Sequence, residues 1–129
     1  MQAASVQVES VTPILIVSEI EPCLEFWQRL GFQKIAEVPH GNRLGFVMFT
    51  NGGENLMLQT ESSADADVKI APRSGGGVVY LSVPSIEAVE QTIDRALVVL
   101  PRRDTFYGAT EVWVREPGGN LVGFAQHKK

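Results

Sequence analysis

Residues 11–32 read VTPILIVSEIEPCLEFWQRLGF and predict a strand that is followed closely by a helix. The stretch from Val11 to Val17 is apolar and β-branched, which is typical of a strand, and Pro13 favours a sheet edge or the first residues of a strand. Pro22 suits the first turn of a helix, where its missing N–H costs nothing. Apolar residues at helical spacing follow, and then a glycine that ends the helix: Leu24, Trp27, Leu30 and Gly31.

Three short β-like runs complete the first half of the chain. They extend over Phe32–Val38, Leu44–Thr50 and Asn55–Thr60, and turn-forming residues separate them. The order is therefore strand, helix and three strands. The polar, glycine-rich stretch from Ser62 to Gly76 is interpreted as a connecting loop.

The same order returns in the second half, at a shift of about 66 residues. A strand over Val78–Val83 precedes a helix that Ser85 caps. Three more strands are predicted over Leu97–Leu100, Thr110–Glu116 and Leu121–Gln126. The shift places apolar and acidic residues of the two halves on each other without a gap: Leu15 on Leu81, Val17 on Val83, Ile20 on Ile86 and Glu21 on Glu87.

The predicted fold class is therefore α+β, with two tandem βαβββ modules. We expect residues 1–129 to form a single domain, with module one at about 9–61 and module two at about 77–127.

Composition restricts the possible partners. The formal net charge is -4, and the only adjacent basic pairs are Arg102-Arg103 and Lys128-Lys129, so a nucleic-acid partner is not expected. No apolar run reaches the length of a membrane span, and residues 1–9 lack the pattern of a secretory signal. The single cysteine, Cys23, suits a reducing compartment. We therefore expect a cytoplasmic protein without a membrane partner.

Two stretches resemble the glyoxalase, bleomycin-resistance and extradiol dioxygenase (vicinal oxygen chelate) superfamily. Residues 17–32, VSEIEPCLEFWQRLGF, are similar to the family's helix entry V-x-D-x-x-x-S-x-x-F-Y-x-x-x-L-G-F, with Glu19 for Asp and Trp27 for Tyr. Residues 110–121, TEVWVREPGGNL, are similar to its closing D-P-x-G-N turn, with Glu116 for Asp. The resemblance implies that each module curls its mixed sheet into part of a cup, with helices on the convex side and the ligand on the concave side.

Catalytic members of this family hold a divalent metal in the cup, usually on two His or Gln and two Glu. The resemblance places the four ligand positions on Thr12, Met57, Val78 and Gly123. Val78 and Gly123 offer no donor, Met57 offers a soft thioether, and Thr12 offers one neutral hydroxyl. We interpret His40 as a turn residue and His127 as part of the tail, so neither is placed for coordination. The chain is therefore most similar to the metal-free, bleomycin-resistance-like members, and we expect no metal, no cofactor and no catalytic residue.

Strand alternation predicts which side chains line the cup. Leu15, Val17, Leu56 and Leu58 should face the helices, as should Val112 and Val114 in the seventh strand. In the third strand, Val47 and Phe49 are interpreted as the cup-facing counterparts of Trp113 and Arg115. The candidate ligand-binding residues share a predicted position on the cup side: Trp113, Tyr80, Phe49, Met57, Gln59, Glu111, Arg115 and Thr12.

Three functions are compatible with these features. The first is a metal-free protein that binds an amphipathic or aromatic small molecule in the cup by stacking on Trp113 and Tyr80. The second is a metal-dependent lyase or dioxygenase-type enzyme with non-standard ligands such as Glu111 and Gln59. The third is a protein-interaction module in which Trp113 and Tyr80 fill the cup as core. For any of them a two-fold homodimer is expected, because two half-barrels expose sheet edges that a partner can cover.

Overall fold

A computed structural model describes residues 6–69 and 72–128 and shows two βαβββ modules in tandem. Module one contains β1 (Ile14–Val17), α1 (Leu24–Arg29), β2 (Gln33–His40), β3 (Arg43–Asn51) and β4 (Glu54–Thr60). Module two contains β5 (Val78–Ser82), α3 (Ile86–Thr92), β6 (Val98–Asp104), β7 (Ala109–Arg115) and β8 (Leu121–His127), and α2 (Glu61–Val68) lies between the modules. The predicted α+β class is confirmed.

Each module forms one four-stranded mixed sheet. The strand order is β1-β4-β3-β2 in module one and β5-β8-β7-β6 in module two. The first strand of each module pairs in parallel with the last, and the other pairs are antiparallel. Helices cover one face of each sheet, and we call the other face the open face.

The buried apolar side chains of both modules form one core beneath the helices. Trp27 is fully buried in it, with ring centroids 5.0 Å from Phe26 and 5.2 Å from Phe32. Cys23 is also fully buried. Ile86 and Val89 bring α3 into the same core, and Ser85 caps this helix by accepting a hydrogen bond from Ala88 N, as predicted. The open faces therefore lie on the side of each sheet away from this shared core.

Several predicted boundaries are wrong. The first strand begins at Ile14 rather than Val11, and β6 continues to Asp104 instead of ending at Leu100. Pro101 is tolerated in β6 because this is an edge strand. Within the stretch expected to be a loop, α2 forms because the Thr60 side chain accepts a hydrogen bond from Ser63 N and caps the helix. Residues 70–71 of that stretch lie outside the described residues.

The internal repeat is real but contains a one-residue offset. The shift of 66 residues that relates Ile14 to Tyr80 also relates their partners, Met57 and Gly123. The third strands do not follow it: Val47 pairs with Leu58, whereas Val112 rather than Trp113 pairs with Phe124. The expectation of a gap-free repeat is therefore wrong.

The offset arises in the last hairpin of each module. Gly52 and Gly53, both with positive φ, form a two-residue turn between paired Asn51 and Glu54. In module two, three residues connect Glu116 to Asn120, whose backbones bond at 2.9 Å. Since successive side chains alternate faces, one extra residue moves every side chain of the strand to the opposite face.

Asn120 joins the two modules. Its side chain accepts a hydrogen bond from Gly77 N (2.7 Å) and donates one to the Ile16 carbonyl oxygen of β1 (3.1 Å). Its backbone N–H donates to Glu116 Oε1 (2.6 Å), and the residue is fully buried. A second bond to Ile16 O, from Gly75 N, supports the same junction (3.1 Å).

All helices in the described part of the chain are short. The longest, α2, has 8 residues, and none could cross a lipid bilayer.

Replacing Asn120 by alanine should destabilise the protein by about 2–4 kcal/mol, because Gly77 N loses its hydrogen bond and Ile16 O keeps only the one from Gly75 N. Urea unfolding followed by circular dichroism measures the change. Asn42→Ala, at an exposed turn position, is the matched control and should change stability by less than about 0.5 kcal/mol. Equal stability of Asn120→Ala and the wild type would show that this junction does not hold the modules together.

Candidate ligand-binding site

The open face of module two carries a buried carboxylate, Glu111, surrounded by hydrogen-bond donors. Its side chain is fully buried, although it lies on β7 opposite Arg103 of the exposed edge strand β6. Four side chains donate to it: Tyr80 Oη and Tyr107 Oη to Oε2 at 2.5 Å each, Trp113 Nε1 to Oε1 at 3.0 Å, and Arg103 Nη2 to Oε1 at 3.1 Å.

Burial alone would raise the pKa of the Glu111 carboxyl, but the four hydrogen bonds outweigh burial and lower the pKa to about 2. The phenols respond in the opposite direction. Burial, and next the hydrogen bond to Glu111, raises the pKa of Tyr80, and the hydrogen bond to Glu111 raises the pKa of Tyr107. At neutral pH Glu111 is therefore an anion and both phenols keep their protons.

Gly123 determines where the two large rings lie. It pairs with Tyr80 on one side and with Trp113 on the other, in neighbouring strands. A Cβ added to Gly123 would lie 2.6 Å from the Trp113 ring, so the indole occupies the space above this glycine. The centroids of the Tyr80 and Trp113 rings are 5.9 Å apart. We call Tyr80, Tyr107 and Trp113 the aromatic wall.

The wall is accessible from solvent. Tyr80 and Tyr107 are 42% and 50% exposed, and Trp113 is partly buried. Phe106, next to Tyr107 in the β6–β7 turn, is 100% exposed, and the two ring centroids are 5.0 Å apart. The arrangement can stack a flat ligand against rings that Glu111 holds in fixed positions.

The other predicted site residues are divided between the modules. Thr12, Met57 and Gln59 are partly buried in module one, where Gln59 Nε2 donates to Ser63 Oγ at 3.4 Å. Arg115 is exposed at the far end of β7 and donates to the Gly119 carbonyl oxygen at 2.7 Å. The structure thus brings Tyr80, Glu111 and Trp113 together and leaves the others outside this cluster.

The orientation predicted for Val47 and Phe49 is wrong. Both are fully buried on the helix side, where the ring centroids of Phe49 and Phe32 lie 6.4 Å apart. The cause is the one-residue offset of the repeat, which makes Phe46 and Met48 the residues on the open face. Phe49 is therefore not placed to contact a ligand there.

The positions predicted for the two histidines are also wrong. His127 is the last residue of β8, and its ring centroid lies 6.1 Å from that of Tyr80. His40 is the last residue of β2 and lines an open cavity of about 290 Å³ together with Arg43 and Glu19.

Sequence reasoning missed Arg103 and Tyr107. The predicted β6 ended before Arg103, because Pro101 and the charged residues after it do not form an apolar run. Opposite charges on neighbouring strands, Arg103 and Glu111, are a signal that could have extended the strand. Tyr107 reaches Glu111 from a turn, and no periodicity predicts that contact.

The four family ligand positions do not fit a divalent cation. Thr12, Met57 and Val78 offer no charged or imidazole donor, and the Trp113 ring occupies the space that a side chain at position 123 would need. Among residues 6–69 and 72–128, no three His, Cys, Asp or Glu side chains form a group that could hold a metal ion.

Cys23 is not an activated nucleophile. Burial raises the pKa of its thiol to about 12, and the nearby charge of Glu116 adds to that effect. The thiolate, which is the reactive form, is therefore disfavoured at neutral pH.

A family model, the Glyoxalase/Bleomycin resistance protein/Dioxygenase superfamily, matches residues 7–124. The chain belongs to this superfamily. No curated protein matches its sequence.

Several solved structures have the same fold as this chain. TioX from Micromonospora sp. ML1 superposes with a TM-score of 0.75 at 18% identity, covering 94% of this chain and 100% of TioX. A lactoylglutathione lyase from Agrobacterium tumefaciens gives a TM-score of 0.71 at 18% identity and 92% and 94% coverage. The bleomycin-binding protein from bleomycin-producing Streptomyces verticillus, in complex with copper(II)-bleomycin, gives 0.64 at 21% identity and 96% and 100% coverage. At these identities the likeness establishes the fold alone.

Replacing Gly123 by alanine should displace the Trp113 indole and break its hydrogen bond to Glu111, because the new methyl group would overlap the ring. We expect a shift in the tryptophan emission maximum and a loss of about 1–3 kcal/mol of stability. Gly76→Ala is the matched control, since a Cβ there meets nothing within 4 Å. Identical emission spectra for Gly123→Ala and the wild type would contradict the placement of the ring.

The low pKa of Glu111 should appear in the pH dependence of stability. The folded pKa of about 2 lies below the ordinary value of 4.5, so the ionised carboxylate stabilises the folded state above pH 4.5. This contribution should be lost as the pH falls from 4.5 towards 2. The free energy of unfolding, measured by urea at each pH, should fall more steeply in this window for the wild type than for Glu111→Gln. Parallel profiles would contradict the assignment.

Proposed function

We propose that this superfamily member is a metal-free binding protein that holds an amphipathic or aromatic small molecule against the aromatic wall. The observation that carries the proposal is the Glu111 cluster, which fixes two phenols and one indole on an open face with their rings partly exposed. Rings held in place before binding lose little conformational entropy when a ligand stacks on them.

The residues at the family's metal-ligand positions support binding rather than metal-assisted catalysis. A lyase or dioxygenase of this superfamily would need ligands at positions where the chain has Thr12, Met57, Val78 and Gly123. Glu111, a substitute carboxylate considered from the sequence, is engaged by four donors.

We further propose that a second copy of the chain encloses the site. The wall is open to solvent, and the edge strands expose apolar side chains that a partner can cover: Ile35 and Val38 on β2, and Val99 and Leu100 on β6. A cytoplasmic location is also proposed, and the single free cysteine supports it.

Native mass spectrometry of protein purified without chelator tests these proposals together. We expect a dimer without a stoichiometric metal, with or without a retained organic ligand. A stoichiometric divalent ion would make the enzyme interpretation the better one, and a monomer would contradict the proposed enclosure by a second copy.

Trp113→Ala should weaken binding of the neutral fluorescent probe N-phenyl-1-naphthylamine by about tenfold, because it removes a stacking surface. The fluorescence increase of the probe on titration measures the affinity. The remaining tryptophan, Trp27, is buried in the core and reports whether the variant is folded. If the wild type does not bind this probe, or if the folded variant binds it with unchanged affinity, the aromatic wall is not the binding site. Either result would favour an interaction module.

A further inference from the structure

The hydroxyl groups of Tyr80 and Tyr107 point their protons at the same carboxylate oxygen. A phenol has one proton to donate and lone pairs to accept with. Both protons are used in hydrogen bonds to Glu111 Oε2, at 2.5 Å each. Each phenol oxygen can therefore only accept a hydrogen bond from a ligand.

The other polar groups of the cluster are also used. A carboxylate has about four acceptor positions, and Glu111 receives four hydrogen bonds while it is fully buried. The Trp113 indole N–H, the only donor of that side chain, also points at Glu111. Glu111 thus does not touch a ligand, but it determines which groups of the wall donate and which accept.

We propose that the aromatic wall selects planar aromatic ligands that donate hydrogen bonds, such as those carrying a primary ammonium or another N–H-rich group. This inference rests on the proposed function and names its ligand class. The phenol oxygens accept from the donor group, and the ring faces of Tyr80 and Trp113 attract its positive charge. Glu111 acts as a positioning residue that sets this preference.

Arg103 is the cationic side chain of the Glu111 cluster, and a cation would favour the opposite ligand. Its side chain is 49% exposed and uses Nη2 to bond Glu111, so its remaining N–H groups can reach an anion. The adjacent Glu111 carboxylate offsets its charge, which weakens attraction for an anionic ligand. The experiment must therefore separate selection by the phenols from selection by Arg103.

Three probes with one ring system make this separation. They are 1-naphthylmethylammonium, its N,N,N-trimethyl analogue and 1-naphthylacetate. The first carries a positive charge and N–H donors, the second has the charge without donors, and the third is an anion that only accepts. Dissociation constants are measured from the indole N–H resonance of Trp113 in ¹H–¹⁵N spectra, with the buried Trp27 indole as an internal control.

We expect 1-naphthylmethylammonium to bind about tenfold more tightly than 1-naphthylacetate, with the trimethyl analogue between them. Tyr80→Phe should lower the affinity for the ammonium probe and reduce this preference. Glu111→Gln should reduce it further, because the amide donates where the carboxylate accepts and turns one phenol proton towards the ligand. If that variant fails to fold, Tyr80→Phe and Tyr107→Phe carry the test.

Glu90→Gln is the matched control for charge. Glu90 pairs with Arg102 of β6, as Glu111 pairs with Arg103, but it lies outside the wall. The substitution removes the same charge from the chain as Glu111→Gln. It should leave the ratio of the dissociation constants of 1-naphthylmethylammonium and 1-naphthylacetate unchanged. An equal change in both variants would overturn the positioning role of Glu111.

The wild type could instead bind 1-naphthylacetate more tightly than 1-naphthylmethylammonium and lose this preference in Arg103→Gln. That result would show that the arginine selects the ligand and would overturn the proposal. Binding of N-phenyl-1-naphthylamine with no preference among the three probes would also overturn it, while leaving the proposed function intact. No binding of any aromatic probe would contradict the proposed function itself.

Discussion

The arrangement of the two modules depends on the buried side chain of Asn120. One amide group satisfies a donor before β5 and an acceptor on β1, so both modules are held by the same residue. Buried backbone groups need such partners because an unsatisfied one is costly away from water. A glycine of the same turn is equally constrained: a Cβ at Gly118 would lie 2.3 Å from Val17 Cγ1 of β1. The turn from Glu116 to Asn120 is therefore both a hairpin and the junction of the fold.

The same turn also makes the side chains on the two open faces differ. Its three residues, compared with two in the corresponding turn of module one, shift β7 by one position relative to β3. The shift places Glu111 and Trp113 on the open face of module two, whereas their counterparts in module one are Phe46 and Met48. A duplicated fold thus carries a polar, aromatic cluster on one sheet and apolar side chains at the matching positions of the other.

The chemistry of the site follows from the saturation of Glu111. A buried carboxylate is stable only when hydrogen bonds or a cation compensate its charge, and here two phenols, an indole and a guanidinium provide that compensation. The Trp113 indole occupies the space above Gly123, and the result is a fixed aromatic surface.

The sequence by itself determined the module order, the duplicated strands and the helix-facing residues of the other core strands, but not those of the third strand, because period-two and helical patterns record which side of an element is buried only when its register is known. It also placed Tyr80, Glu111 and Trp113 on one face, since alternation within module two is regular. The predicted orientation of Phe49 was wrong because an ungapped repeat cannot reveal one added turn residue. The α2 helix was missed because its composition is polar. Only the tertiary structure decided that Glu111 is buried, that Arg103 and Tyr107 reach it, and that its donors point inward. These contacts join separate strands and a turn, and no local pattern encodes the distances between them.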